Sequence, residues 1–413
     1  MKSSKLNFLF YSVGIAISGI LSFIFIPVVV QMCGKEVYGA YSMIFNTLSI
    51  VCMFCYTWIG QSFVRFFSQQ SQQLGIVSVK LLNKSLALGF TVFVPLVFLI
   101  TTIDFYELLL FAPTFFIFGY YCFYLWVFQV KQRAFLIMIC EVLRTAINII
   151  STIILLHFFD NQNAIKLLSL SLFFSYLFPL LILHSKNEKL NIKLNKQETK
   201  TITKQIMEFG IPLAIFSSCS LALSVNDRFL IYYLINKEAA GAYSAIYDVI
   251  NKGVVAAFSP ILVTFYPIIF RLFDEKKGIQ ALTKIRKLIF IEAILMISGF
   301  IVLLLFSPYL LEFIFKKKPG SNLIWVTNFI YIGVCLWQVA MLVHKPLELK
   351  LQTKFMAIAI FLALIVNALT NFFIIRVNHN LLVPAITTVV GSGIYIILVV
   401  IYIQRKKSLI INV

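Results

Sequence analysis

Apolar runs of about 20 residues, separated by short polar stretches, recur from one end of this chain to the other. Each run is long enough to cross a hydrocarbon core of about 30 Å as a helix. In order they predict twelve spans, at 7–31, 38–60, 81–103, 108–130, 136–159, 164–185, 207–233, 242–270, 288–309, 322–344, 355–376 and 381–403. Backbone groups in lipid need internal partners, and these runs are too long and continuous for barrel strands, so each is expected to be a helix. The start, with Lys2 and Lys5 ahead of an apolar run, has the outline of a signal peptide. That run is too long and lacks a small-x-small cleavage site, so it is kept as the first span. The expected fold class is an all-α integral membrane protein of about twelve transmembrane helices.

Composition agrees with the pattern. Of 413 residues, 61% are hydrophobic and 12% charged, against roughly a quarter charged in soluble chains. The net charge of +19 suggests nucleic acid until its placement is examined. One side of the membrane collects Lys2, Lys5, Arg65, Lys80, Lys84, Lys131, Arg133, the lysines of 186–204 and the basic residues of 271–287. Lys345, Lys350, Lys354 and Arg405 to Lys407 join them. The other side has Lys35, Lys166, Lys237, Lys316, Lys317, Lys318 and Arg376, and Arg144, Arg228 and Lys252 fall inside spans. The positive-inside rule then places both termini in the cytoplasm, with Lys316 to Lys318 a local exception. Most of the charge is topological, which removes the nucleic-acid reading. Cys52, Cys55, Cys122, Cys140, Cys219 and Cys335 lie in spans as small apolar residues, not as a disulfide framework.

The most polar stretch, 186–206, divides the chain into an N-terminal six-helix bundle (1–185), a basic cytoplasmic linker and a C-terminal six-helix bundle (207–413). The halves share sequence. Gly34-Lys-Glu-Val-Tyr-Gly-Ala-Tyr-Ser42 recurs 202 residues later as Asn236-Lys-Glu-Ala-Ala-Gly-Ala-Tyr-Ser244, in the turn after the first span of each half. The likeness continues, with Ile44 matching Ile246, Phe45 matching Tyr247 and Asn46 matching Asp248. A weaker echo pairs Val366-Asn-Ala-Leu-Thr-Asn371 with Ile147-Asn-Ile-Ile-Ser-Thr152, in the fifth span of each half. An even number of spans per copy makes this a parallel repeat about an axis along the membrane normal. Two such bundles facing a central cavity are a transporter design.

The K-E-x-x-G-A-Y-S turn resembles the polysaccharide-transporter family of O-antigen and exopolysaccharide flippases. So does Phe209-Gly-Ile-Pro212 running on to Asn226-Asp-Arg-Phe-Leu-Ile231 and the Gly241-Ala-Tyr243 turn. The superfamily also holds multidrug and toxic-compound exporters and lipid II flippases. The resemblance covers the whole chain in span count and two blocks in detail. It implies that an undecaprenyl-diphosphate-linked oligosaccharide moves from the cytoplasmic to the outer leaflet of a bacterial inner membrane, without chemical change. The implied setting is surface-polysaccharide biosynthesis, with a polymerase and chain-length machinery as partners.

A charge at the centre of a membrane helix costs about 2.5–3.5 kcal/mol on insertion scales, so each needs a reason. The fifth span carries Glu141, Arg144, Asn148, Ser151 and Thr152 on one face. The seventh carries Ser217, Ser220, Ser224 and Asp227, followed by Arg228; the eighth carries Ser244, Tyr247, Asp248, Asn251 and Lys252. A lipid diphosphate suits Arg, whose planar fork grips phosphate oxygens. Arg144 and Lys252 are the first candidates, with Arg228 nearer the outer mouth and Arg65 and Arg271 at the cytoplasmic ends of spans. Asn148, Ser220, Ser224, Tyr247 and Asn251 suit sugar hydroxyls. Asp248, Asp227 and Glu141 are candidates to carry a coupling proton or sodium ion. A plainer reading stands beside this: Glu141–Arg144 and Asp248–Lys252 neutralise one another, and Arg65 and Arg271 are interface anchors. The repeat places neutral Asn46 and Ile50 opposite Asp248 and Lys252, which points to the second half as the coupling site.

His157, His184, His344 and His379 have no metal-site spacing, and His344 reads as an interface residue. No phosphate loop, nucleophile elbow or acidic metal cluster occurs, so no enzyme chemistry or cofactor is expected beyond a coupling ion. Two rivals remain. A cation-coupled drug exporter shares the fold, although excess Arg and Lys argue against cationic substrates. A membrane polymerase or ligase would need a larger outer loop than the short connections here.

Overall fold

The structure, a computed structural model, describes residues 2–100, 105–159, 163–187 and 195–406. The described residues form helices with no strand: α1 (Lys2–Ile100), α2 (Phe105–Val130), α3 (Ala134–Phe158), α4 (Ala164–Ser185) and α5 (Lys196–Leu234) come first. Then follow α6 (Lys237–Asp274), α7 (Gly278–Phe315), α8 (Ser321–Val343), the short α9 (Lys345–Leu349), α10 (Thr353–Asn378) and α11 (Leu382–Arg405). Lipid leaves the backbone no other way to pair its amides, and every helix but α9 has enough apolar length.

The 99 residues of α1 do not run straight. Phe25 and Tyr41 have ring centroids 6.2 Å apart, whereas sixteen residues of unbroken helix span about 24 Å. The reversal falls at Gly34, whose φ of +87° is open to glycine and not to a side chain. A second reversal is required because Ser85 Oγ donates to the Cys55 carbonyl at 2.9 Å. It lies between Cys55 and Ser85. Eleven described segments are long and apolar enough to cross a membrane. The first of them, Leu9–Phe67, is folded in two at Gly34, which gives the twelve expected passes. The end of the third expected span, 101–103, lies outside the described residues.

Helix α5 starts inside the expected linker, of which 188–194 lies outside the described residues. Ile202 and Ile206, four apart, point into the apolar core between polar neighbours and extend the helix ahead of its span. Contacts divide the chain into two compact units, one of Met1–Phe25 with Ala40–Leu221 and one of Ile26–Gly39 with Ala222–Val413. Within the first, α5 comes close to the second pass. Ser62 Oγ donates to the Ile206 carbonyl at 3.0 Å, and a Cβ on Gly210 would overlap the Trp58 carbonyl.

Within the second unit the two copies of the repeated turn meet at their glycines. A Cβ on Gly39 would lie 2.9 Å from the Gly241 Cα, and one on Gly241 would overlap the Lys35 carbonyl oxygen. Small residues let membrane helices approach at backbone distance, which is what the repeated Gly-Ala supplies here. Lys35 Nζ also pairs with Glu238 at 3.3 Å. Asn236 caps α6 by accepting from the Ala239 N–H at 2.7 Å, so the second turn is closed by an asparagine where the first uses Gly34.

Gly241→Ala should therefore destabilise the protein by about 1–3 kcal/mol, the usual cost of overpacking. Gly253→Ala on the same helix meets nothing within 4 Å and should be neutral. Thermal unfolding in detergent compares the two, and equal melting temperatures would remove the close approach.

Candidate functional site

The polar stripe of α3 is used up largely inside the first unit. Arg144 binds Glu141 through Nη2 at 3.0 Å and Nε at 3.2 Å. The Tyr121 hydroxyl donates to the other Glu141 oxygen at 2.8 Å, and the Arg144 guanidinium stands 5.3 Å from the Tyr176 ring centroid. Ser171 of α4 donates to the Asn148 side-chain oxygen at 3.0 Å and is hydrogen-bonded to Thr152 at 2.7 Å. The ion pair expected of Glu141 and Arg144 is thus formed. It is not sealed, because the Arg144 and Glu141 side chains keep 19% and 26% of their surface exposed.

In the second unit two adjacent residues of α5 serve two different networks. Arg228, 3% exposed, binds Asp248 of α6 at 2.7 Å. Its guanidinium lies 4.5 Å from the Tyr247 ring centroid, and Tyr38 donates to the other Asp248 oxygen at 2.6 Å. Asp248 therefore finds its cation twenty residues back in α5, where the plainer reading had expected Lys252. Lys252 is exposed, Asn251 half-buried, and Ser220 donates to the Ser217 carbonyl at 2.8 Å. Arg65 and Arg271 are exposed, Arg271 in the last turn of α6.

Asp227 faces the other way and is fully buried. It accepts hydrogen bonds from Tyr243 at 3.0 Å, from Asn371 at 2.6 Å and from Thr388. Thr387 donates to the Asn371 side-chain oxygen at 2.5 Å, and Asn226 donates to that of Asn367 at 3.1 Å. One carboxylate with amide and hydroxyl oxygens is a hard-oxygen donor set of low charge. It lacks the His or Cys ligands a transition metal prefers. Among the described residues no group of three His, Cys, Asp or Glu is placed to hold a metal.

Sequence reasoning selected Asp227 but not its partners. Asn367 and Asn371 were visible only as a repeat echo, and Thr387 and Thr388 as two hydroxyls in an apolar span. It also misplaced His344, which is 1% exposed and hydrogen-bonded to Tyr395 at 3.1 Å, because the chain there turns inward into α9. Lys345, expected as a cytoplasmic flank, is equally buried. It pairs with Glu348 while its ammonium sits 3.4 Å from the Tyr266 ring centroid. Glu292 of α7, also fully buried, had drawn no attention, although it is the lone acid in Leu288-Ile-Phe-Ile-Glu-Ala-Ile-Leu-Met296.

Removing one partner of a buried ion pair costs about 3–5 kcal/mol, because the other charge is left behind. Asp248→Ala should thus lower thermal stability strongly, and adding Arg228→Met should restore most of the loss. A double variant no better than Asp248→Ala would show that the pair does not set the cost.

Known proteins resemble this chain at two levels. Solved structures share the fold at low identity. An inward-facing multidrug resistance MATE family transporter of the MOP superfamily aligns with a TM-score of 0.70 and 13% identity, over 98% of this chain and 95% of that one. A MOP superfamily transporter from Pyrococcus furiosus, whose binding pocket is described as reversed in polarity, aligns at 0.69 and 14%, over 99% and 96%. In sequence, the capsular polysaccharide biosynthesis protein CapF of Staphylococcus aureus is 27% identical over 177 residues, which is 42% of this chain. The match spans 44% of that relative's length. The model of the family described as "Polysaccharide biosynthesis protein" matches residues 4–273, about two thirds of the chain, and the chain belongs to that family.

Proposed function

We propose that this protein is a flippase that carries an undecaprenyl-diphosphate-linked oligosaccharide from the cytoplasmic to the outer leaflet of a bacterial inner membrane. The observation that carries the reading is the family match over residues 4–273 on a chain with the MOP-type transporter fold. The two six-helix halves of the sequence would alternate in opening to either side, with both termini cytoplasmic. A carrier of this kind changes position and not bonds, so no enzyme chemistry is invoked.

The diphosphate is the part of such a lipid that hydrocarbon rejects most strongly, and cations in the spans answer it. Arg144 is the better placed of the two arginines. Its pair with Glu141 is partly exposed, so a phosphate can compete for the guanidinium fork. Arg228 is sealed against Asp248 and Tyr247, and its role in this reading is to hold α5 on α6. Lys252, Arg65 and Arg271 are further cations that this reading assigns to the diphosphate. Sugar hydroxyls fall to Asn148, Ser220, Ser224, Tyr247 and Asn251. The coupling ion is assigned to Asp227, whose oxygen neighbours suit sodium or a proton; Asp248 and Glu141 are engaged by arginines.

A second reading, a cation-coupled drug exporter, is favoured by the similarity in fold to a multidrug resistance MATE family transporter. Their identity of 13% supports the fold alone, and the arginines speak for an anionic cargo.

Complementation of a bacterium lacking its own O-unit flippase tests the reading. Wild type should restore surface polysaccharide, and Arg144→Ala and Lys252→Ala should lose it at equal protein level. Drug efflux by the same strain without polysaccharide would favour the exporter. The ion assignment has its own test. Sodium chloride in place of choline chloride should raise the melting temperature of wild type and leave Asp227→Asn unchanged, with about 2.7 kcal/mol gained at a hundredfold excess over Kd. A rise that follows acidity and ignores sodium would assign the site to a proton.

A further inference from the structure

Glu292 is not among the residues assigned to cargo or coupling ion above. Helix α7 turns Phe290, Ile294, Ile297 and Ile301 outward and Ala281, Ile285, Leu288 and Glu292 inward, in steps of three and four. Glu292 is fully buried. Neither of its carboxyl oxygens has a hydrogen-bond partner among the described residues.

The groups that face it are few and already engaged. From α6, Tyr266 interacts with it electrostatically, but the Tyr266 hydroxyl is donated to the Met341 carbonyl at 3.2 Å. From α8 comes Cys335, together with Tyr331, whose hydroxyl is donated to the Met296 carbonyl of α7 itself at 3.1 Å. Beyond the Tyr266 ring, the Lys345 ammonium is paired with Glu348. On α7, Lys284 stands over the Phe265 ring at 4.8 Å, and Arg286 and Lys287 are exposed. No cation of α6, α7, α8 or α9 forms an ion pair with Glu292 among the described residues. A carboxylate buried without cation or donor is far costlier than the neutral acid, whose unpaired polar atoms carry a much smaller penalty.

We propose that Glu292 is a proton-binding site, which keeps its proton while α6, α7 and α8 pack as they do here and gives it up when they separate. On release the Glu292 O–H bond breaks, the carboxylate retains the electron pair, and the proton passes to a water molecule. The site is distinct from the Asp227 cluster, which is built on α5, α6, α10 and α11. Protonation stands on the packing alone; its use in coupling rests on the transport reading.

Infrared difference spectroscopy of the protein in lipid, wild type against Glu292→Gln at neutral pH, tests protonation. The expected result is a protonated-carboxyl band that shifts in heavy water and is missing from the variant. An ionised-carboxylate band in its place would overturn the proposal. If Glu292→Gln does not accumulate, dicyclohexylcarbodiimide on the wild type decides, since it attacks protonated carboxyls in apolar surroundings: an adduct on Glu292 supports the proposal, and none sinks it. For coupling, Glu292→Gln at wild-type level should lose the rescue of surface polysaccharide while Glu292→Asp keeps it. Full rescue by Glu292→Gln would end the coupling role. Failure of the wild type itself counts against the flippase reading and leaves the infrared result standing.

Discussion

Hydrocarbon supplies no hydrogen-bond partner, and the arrangement of this protein follows from that one lack. For the backbone, helices satisfy it within each pass. For side chains, it forces polar groups on one helix to find others on the next, and so it selects which helices become neighbours. The same device appears in each unit. In the first, Asn148 on the fifth pass accepts from Ser171 on the sixth. In the second, Asn367 on the eleventh pass, which matches Asn148, donates to the Thr387 carbonyl on the twelfth at 2.8 Å, and Asn371, which matches Thr152, accepts from the Thr387 hydroxyl. The weak echo between those passes is the trace of this shared need.

Charged groups meet the constraint in three ways of decreasing compensation. Arg228 and Asp248 neutralise each other, the arginine almost sealed and the aspartate 23% exposed, with Tyr38 donating to Asp248 and the Tyr247 ring against the guanidinium. Asp227 has only neutral donors, among them Tyr243 and Asn371, an arrangement that stabilises the anion and leaves its charge available to a small cation. Glu292 has neither. Structure alone would be served best by the first arrangement or by an apolar residue. The other two cost more.

The fold was largely legible because its signal is local: apolar length fixes a membrane helix wherever its neighbours lie. The helical extension at Ile202 and Ile206 was not, since a two-residue apolar face among lysines becomes informative only once there is a core to receive it. The candidate site was legible by residue but not by pairing. Glu141 and Arg144, three apart on one helix, could be paired by counting. Arg228 and Asp248 belong to different helices, and the nearer Lys252 offered a false partner four residues away. His344 and Lys345 were misread for a related reason: polar residues at the end of an apolar run are ordinarily at the interface, and here a short helix carries them back inside.

The repeat itself divides packing from chemistry. Where the two copies agree, as at Gly39 and Gly241, the shared residue sets the distance between helices. Where they differ, the second copy carries the charge. With the same offset of 202 residues, Asp227, Arg228 and Asp248 stand opposite Phe25, Ile26 and Asn46. The first copy answers with Tyr38, opposite Ala240, and donates its hydroxyl to Asp248. A duplicated helix pair can keep its close approach only by keeping small residues in both copies. Its polar groups are under no such bond and are free to gather in one. The asymmetry of charge is therefore a physical reason, separate from any family likeness, to seek ion coupling in the second unit.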